Sequence, residues 1–206
     1  MVHDIQEPLR GWSRLSTGVV HRGSHLALHH DHVLQPDGTE GTYDRLTIAD
    51  GARTVAVDAR RRVALVEDAF YPPGRRLLHV PGGAIAEGEC PREAARRECE
   101  EETGHRPATL SPLAVYHPLP SRTSAVTHLY LGTDLHPSAD HHRDPTEAAM
   151  TVRWIPLDDA VAAVRAGEIT EAGSVIGLLM AAREVTGVQK RLRRRPDALR
   201  GRWPWR

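Results

Sequence analysis

One segment constrains this chain more than any other. Residues 81–105 read PGGAIAEGECPREAARRECEEETGH, and their punctuation predicts a helix over 91–103. Pro91 stands where a first-turn proline fits, since its missing N–H would be unpaired there anyway. Glu93 suits the positive end of the helix, and Gly104 follows the last turn, where a left-handed terminator belongs. At about 100° per residue, Ala94, Ala95, Glu98, Cys99, Glu101 and Glu102 fall on one side. Glu93, Arg96 and Glu100 fall on the other side, toward water. An ordinary surface helix keeps its acids away from its apolar stripe. This one crowds three carboxylates toward the body of the protein.

The crowding needs a counter-charge. Glu98 and Glu102 are i,i+4 neighbours, which disfavours the helix by a few tenths of a kcal/mol, and partial burial makes the repulsion worse. Arg97 reaches Glu101 at i+4, but one arginine does not balance three glutamates. A divalent cation does, and clustered carboxylate oxygens suit a hard one, Mg2+ or Mn2+. The competing reading is a merely acidic helix end. Gly82 and Gly83 weigh against it, because glycines permit close backbone approach and free a carbonyl to face a metal. A partly hydrated metal held this way polarises a diphosphate.

The rest of the chain supplies the frame. Its 206 residues suit one domain with extensions. Strands are expected near 25–33, 43–49, 53–57, 62–67, 77–80, 113–116, 126–132 and 150–155, and helices over 157–166 and 173–186, stopped by Gly167 and Gly187. DARR at 58–61 reads as a hairpin turn and 136–145 as a loop. Strands around a few helices predict an α/β fold with a mixed sheet. Lys and Arg total 27 and so do Asp and Glu, which excludes a generally basic nucleic-acid coat. Residues 188–206, however, hold eight basic residues and one acid, a net +7, leaving −7 on the body. That tail is either a solvated end or a contact strip for phosphates or a partner subunit. No apolar stretch approaches the roughly 20 residues of a membrane span, and the first residues lack the apolar core of a secretion signal. Cys90 and Cys99, on one helix, would lie about 13 Å apart, too far to bridge. A cytoplasmic protein is expected. Thirteen histidines give no zinc spacing, since the adjacent pairs His29-His30 and His141-His142 point apart on a strand.

The segment from Gly83 to Gly104 resembles the box of the Nudix hydrolase family: a glycine, five residues, Glu89, seven residues, then Arg97-Glu98, Glu101-Glu102 and Gly104. Cys99 fills the position that takes an apolar residue, and His105 departs from the usual apolar last residue. The resemblance implies an α/β/α sandwich and Mg2+- or Mn2+-dependent hydrolysis of a nucleoside diphosphate linked to another moiety. It implies that Glu98, Glu101 and Glu102 bind metal, helped by the Gly83 carbonyl. Arg97 would orient the helix carboxylates, and Glu89 would hold the loop–helix geometry or lie in the outer shell of the metal. A binding module that only sensed a ligand has no need of Arg97, Glu98, Glu101 and Glu102 together, so an enzyme is expected.

Over residues 25–185 the chain is most similar to the ADP-ribose pyrophosphatase branch, by Pro36–Gly38, Tyr71–Arg76, Pro120, and the stretch from Trp154 to Ile169. Two positions depart from it: Phe70 and His79 stand where an arginine and a glutamate are usual. Phe70 either stacks a base or belongs to the core. Arg75, Arg76 and Arg122 either grip substrate phosphates or are solvated. The water-activating base is Glu101 or a loop acid, with Glu147 placed nearest among Asp140, Asp144 and Glu147. Residues 1–50 are expected as an N-terminal β-rich arm that builds a homodimer, 51–187 as the catalytic domain, and 188–206 as the basic tail. The expected substrate is ADP-ribose or a related nucleotide-sugar; other substrates include damaged nucleoside triphosphates.

Overall fold

A computed structural model describes residues 11–138 and 149–185. The chain runs β1 (Ser13–Arg22), β2 (Leu26–Leu34), β3 (Glu40–Ile48), β4 (Gly51–Ala56), β5 (Arg62–Phe70), β6 (Arg75–His79), β7 (Gly82–Ala84), α1 (Pro91–Thr103), β8 (His105–Tyr116), β9 (Thr127–Pro137), β10 (Thr151–Pro156), α2 (Leu157–Ala166) and α3 (Ala172–Val185). Asp140, Asp144, Glu147, Gly187 and the basic stretch 188–206 lie outside the described residues.

The central sheet has the order β7-β4-β9-β8, with β4 parallel to β9 and the other pairs antiparallel. A second sheet, β10-β5-β6, is antiparallel and joins it where Val57 bridges Val63 across the turn at 58–61. Asp58 builds that turn, its carboxylate accepting from the amides of Arg60 and Arg62.

Strand alternation decides what each face receives. Ala52, Thr54 and Ala56 of β4 and Ala64 of β5 turn toward α1, where they pack with Ala94, Ala95 and Cys99 or, for Thr54, donate a hydroxyl to the Ala95 carbonyl at 2.8 Å. Val55, Val57, Val63 and Leu65 turn the other way, into the large core closed by Leu157, Ile169 and Leu178 of the C-terminal segment. Small residues on one face let α1 lie close. Branched residues on the other carry most of the apolar burial.

The N-terminal strands form a separate antiparallel sheet, β1-β2-β3. On the face of β2 that carries the buried Ala27 and Val33, polar residues stand between the apolar ones. Asp31 accepts from the Thr17 hydroxyl and from Arg45 Nε, and Thr47 meets His29. Burial alone would raise the Asp31 carboxyl, but the Thr17 hydroxyl and the Arg45 guanidinium hold it below the usual range. The sheet is tied to the loop after β8 by Leu46 N–H to the Arg122 carbonyl and by Tyr43 Oη to the Ser121 carbonyl.

The helix expected over 91–103 occupies those residues, ended by Gly104 at φ 69°. One expectation on it needs correction. Arg96 and Glu100 do not simply face water: Arg96 binds Glu93 and the Pro107 carbonyl, and Glu100 is held by Arg106 and the Ser138 hydroxyl. The long β8 strand behind the helix supplies Arg106 and Pro107, and Ser138 stands just after β9.

Candidate active site

The loop between β7 and α1 brings Glu89 against the helix. Its carboxylate takes a two-pronged contact from Arg97, Nε to Oε1 at 2.9 Å and a terminal nitrogen to Oε2 at 3.0 Å, and also accepts the Ala86 amide at 3.0 Å. The other terminal nitrogen of Arg97 reaches Glu98 and Glu101, both at 2.9 Å. One planar guanidinium thus spans three carboxylates, a geometry lysine does not offer. The hydrogen bond from Arg97 holds the Glu89 carboxyl below the usual carboxylate range, and Glu89 in turn pushes Arg97 further from neutrality.

Behind the guanidinium the glycines provide room. A Cβ on Gly83 would stand 2.6 Å from the Glu98 carboxylate, so only glycine leaves that carboxylate its place. The Gly82 amide donates to Glu102 Oε2 at 3.2 Å. Glu98 and Glu102 are buried, at 9% and 3% exposure, whereas Glu101 is half-buried. Two buried carboxylates beside a glycine strand and a third at its rim form a hard-oxygen donor set that fits a divalent cation. Among the described residues, no three acidic, histidine or cysteine side chains already converge as a cage. Glu98 and Glu101 share Arg97, each through one carboxylate oxygen, which leaves the second oxygen of each outside those contacts with Arg97.

The expected substrate residues are distributed over two places. Phe70 is half-buried with its ring edge-on to His79, centroids 5.3 Å apart. The His79 ring is buried: Nδ1 meets the Val80 carbonyl, Nε2 has no partner, and burial pushes its pKa down. Arg75 reaches the Thr170 hydroxyl, and Arg76 ties the carbonyls of Glu67 and Ala149. Arg122 lies elsewhere, over the Tyr43 ring at 5.8 Å. There a cleft of about 1270 Å³ runs between the N-terminal sheet and the loop ahead of α1, bordered by Trp12, Tyr43, Arg45, Glu89, Arg122 and His128. The Trp12 and Tyr43 rings meet edge to face at 5.5 Å. Sequence reasoning missed Tyr43 and Arg45, which β3 brings to this cleft beside the Arg122 loop, and Trp12, which reaches it from just ahead of β1. It also missed Arg53, whose charge inside the otherwise small and apolar run RTVAV was the available signal.

Comparison with known proteins gives the family and the fold. The family model described as NUDIX domain matches residues 48–173. A CMP-5'-(N-acetyl-N-hydroxy-3-aminopropyl)phosphonate hydrolase of Streptomyces rubellomurinus is 33% identical over 171 residues, covering 82% of this chain and 81% of the relative. An ADP-ribose pyrophosphatase of Mycobacterium tuberculosis is 30% identical over 178 residues, covering 84% of each. The crystal structure of an ADP compounds hydrolase superposes with a TM-score of 0.76 at 21% identity, covering 89% of this chain and 98% of that one, and so shares the fold.

Proposed function

The chain belongs to the Nudix hydrolase family, and on that premise we propose that it cleaves the pyrophosphate bond of ADP-ribose or a related nucleotide-sugar, releasing a nucleoside monophosphate and a sugar phosphate. The observation that carries this reading is the Glu98–Glu102–Gly82–Gly83 arrangement, two buried carboxylates seated on a glycine strand. Glu98, Glu101, Glu102 and the Gly83 carbonyl would hold Mg2+ (or Mn2+), which when bound neutralises phosphate oxygens and makes water more acidic. Arg97 draws Glu98 and Glu101 to one nitrogen, offsets their like charge and, with Glu89, fixes the loop against the helix. Glu101 or Glu147 takes the proton of the attacking water. The water oxygen bonds to one phosphorus, and the bridging oxygen leaves with the electron pair of the broken P–O bond.

In this reading the cleft takes the nucleoside end: Trp12 and Tyr43 offer aromatic faces, and Arg45 and Arg122 offer charge to phosphate. Arg75, Arg76 and Phe70 lie outside this cleft, on β5 and β6. Strand β1 supports a homodimer, since all of it is exposed, with Leu15, Val19 and Val20 at 54%, 52% and 62%. Two free thiols, Cys90 exposed and Cys99 buried, suit a cytoplasmic setting. No helix among the described residues is long and apolar enough to cross a membrane.

A second reading keeps the reaction and changes the nucleoside. The relative at 33% identity is a hydrolase of a CMP-linked phosphonate, and Phe70 against His79 replaces the arginine and glutamate usual in the ADP-ribose branch. The test is a product assay with Mg2+ across ADP-ribose, GDP-mannose, UDP-glucose, a CMP-linked phosphonate and 8-oxo-dGTP. The proposal expects AMP and ribose phosphate as the fastest products; CMP release above all others supports the second reading. Hydrolysis of none of them overturns both.

A further inference from the structure

The polar cluster behind the glycine strand has no part in the reaction as described so far. Arg53 is the charged residue of β4, and its side chain passes between two glycines. A Cβ on Gly82 would stand 2.5 Å from Arg53 Cγ, and one on Gly173 would stand 2.7 Å from Arg53 Cδ. Its guanidinium donates to the Val80 carbonyl at 3.2 Å and pairs with Glu171 at 3.6 Å. Glu171 caps α3, accepting the amides of Gly173 at 3.0 Å and Ser174 at 2.7 Å. The Ser174 hydroxyl donates to Glu171 at 2.7 Å and accepts the Val80 amide at 2.9 Å. Both backbone polar groups of Val80 are therefore held from the other side of the sheet. Two residues on, the same backbone binds Glu102 through the Gly82 amide and makes room for Glu98 at Gly83.

We propose that Arg53, Glu171 and Ser174 are positioning residues for the reaction: a clamp that sets the Val80–Gly83 backbone and, through it, the Glu98 and Glu102 carboxylates. Stability alone does not account for the cluster, because a buried ion pair replaced by well-packed apolar residues is often neutral or better. Its placement does. The α1 face holds the glycine strand by its backbone, through the Gly82 amide on Glu102 and the Ala84 carbonyl under Arg97, since glycines present no side chains to grip. The far face adds hydrogen bonds to the same backbone. Pairing with β4 sets the register of Gly82–Ala84, and the Thr54 amide reaches the Pro81 carbonyl; the cluster adds the hold on Val80, where that pairing has ended. Glu171 stays ionised there: burial pushes its carboxyl up, but Arg53 and the capping donors bring it below the usual range.

This inference rests on the pyrophosphatase reading for its activity arm and is independent of it in its binding arm. The variants are Ser174→Ala and Glu171→Gln in the full chain. Mn2+ affinity is measured by calorimetry without substrate, and kcat, KM and Tm are measured beside it. The clamp predicts Mn2+ binding about tenfold weaker and kcat about 10–100-fold lower, as for outer-shell partners of metal ligands, with KM little changed. It is overturned if both variants keep wild-type Mn2+ affinity and kcat, or if their losses match the fraction unfolded. Ser174→Ala removes a single hydroxyl and carries the test should Glu171→Gln not fold. A wild-type chain that binds Mn2+ yet hydrolyses nothing would remove the pyrophosphatase reading and leave the calorimetric comparison intact.

Discussion

The two faces of β4 are one strand used in opposite ways. Toward α1 it shows Ala52, Thr54 and Ala56, and the helix it meets carries buried glutamates. Toward α3 it shows Val55 and Val57, in a core of branched side chains closed by Leu178. The acid face is close-packed but holds charges of like sign, which Arg97 offsets at Glu98 and Glu101 and the Gly82 amide meets at Glu102. The apolar face holds the fold and tolerates one ion pair, Arg53 with Glu171. Stability and chemistry are therefore carried on opposite sides of the same sheet, and substitutions should separate them.

The largest separation should come from the acid face. Glu98→Gln is expected to cut hydrolysis about 10²-fold or more, while Tm stays level or rises as like-charge repulsion is relieved. Steady-state kinetics beside a melting curve checks this; a matching loss of stability would show that the carboxylate belongs to the fold. On the other face, Leu178→Ala removes a fully buried side chain and should cost about 2–5 kcal/mol in urea denaturation. Activity per folded molecule should not change.

Gly83→Ala sharpens the comparison at a single methyl group. The new Cβ would meet the Glu98 carboxylate at 2.6 Å, the far end of a flexible side chain. The carboxylate moves at small cost to stability, and Mn2+ affinity should fall about tenfold. The smallest effect is pH dependence. Burial keeps His79 neutral in the folded chain to lower pH than in the unfolded one, and His29 and His128 shift the same way. As pH falls below about 6.5 the unfolded state takes up the additional protons, so stability falls. Urea midpoints at pH 7.5 and 5.5 should differ in that direction, and His79→Gln should shrink the difference.

Legibility followed the range of the interactions. Helix α1 was readable to the residue because proline, glycine and the acid pattern are local signals. Strand β1 was not foreseen: SRLSTGVVHR has no alternation, is wholly exposed, and is held by backbone pairing to β2. Strand β8 was expected over 113–116 but begins at His105, because Pro107 and Pro112 mask the strand in sequence, although Pro107 pairs in register and Pro112 stands beside a register shift. Gly82–Ala84 reads as loop in sequence and pairs as a strand because β4 offers it an edge. In the site, the Arg97 contact with Glu101 follows from helix spacing, whereas its contact with the adjacent Glu98 does not. The Arg53–Glu171–Ser174 cluster joins residues more than a hundred positions apart, and the cleft joins β3 to residues near 122; neither leaves a local trace.

The central claim is that Glu98 and its neighbours take up a divalent cation beside the scissile phosphates. Calorimetric titration of Mn2+ into the wild type and into Glu98→Gln, each with a non-hydrolysable methylene analogue of ADP-ribose present, tests it most directly. The account predicts heat of binding in the wild type that is lost or strongly weakened in the variant. No uptake by the wild type, or equal uptake by both chains, would contradict it.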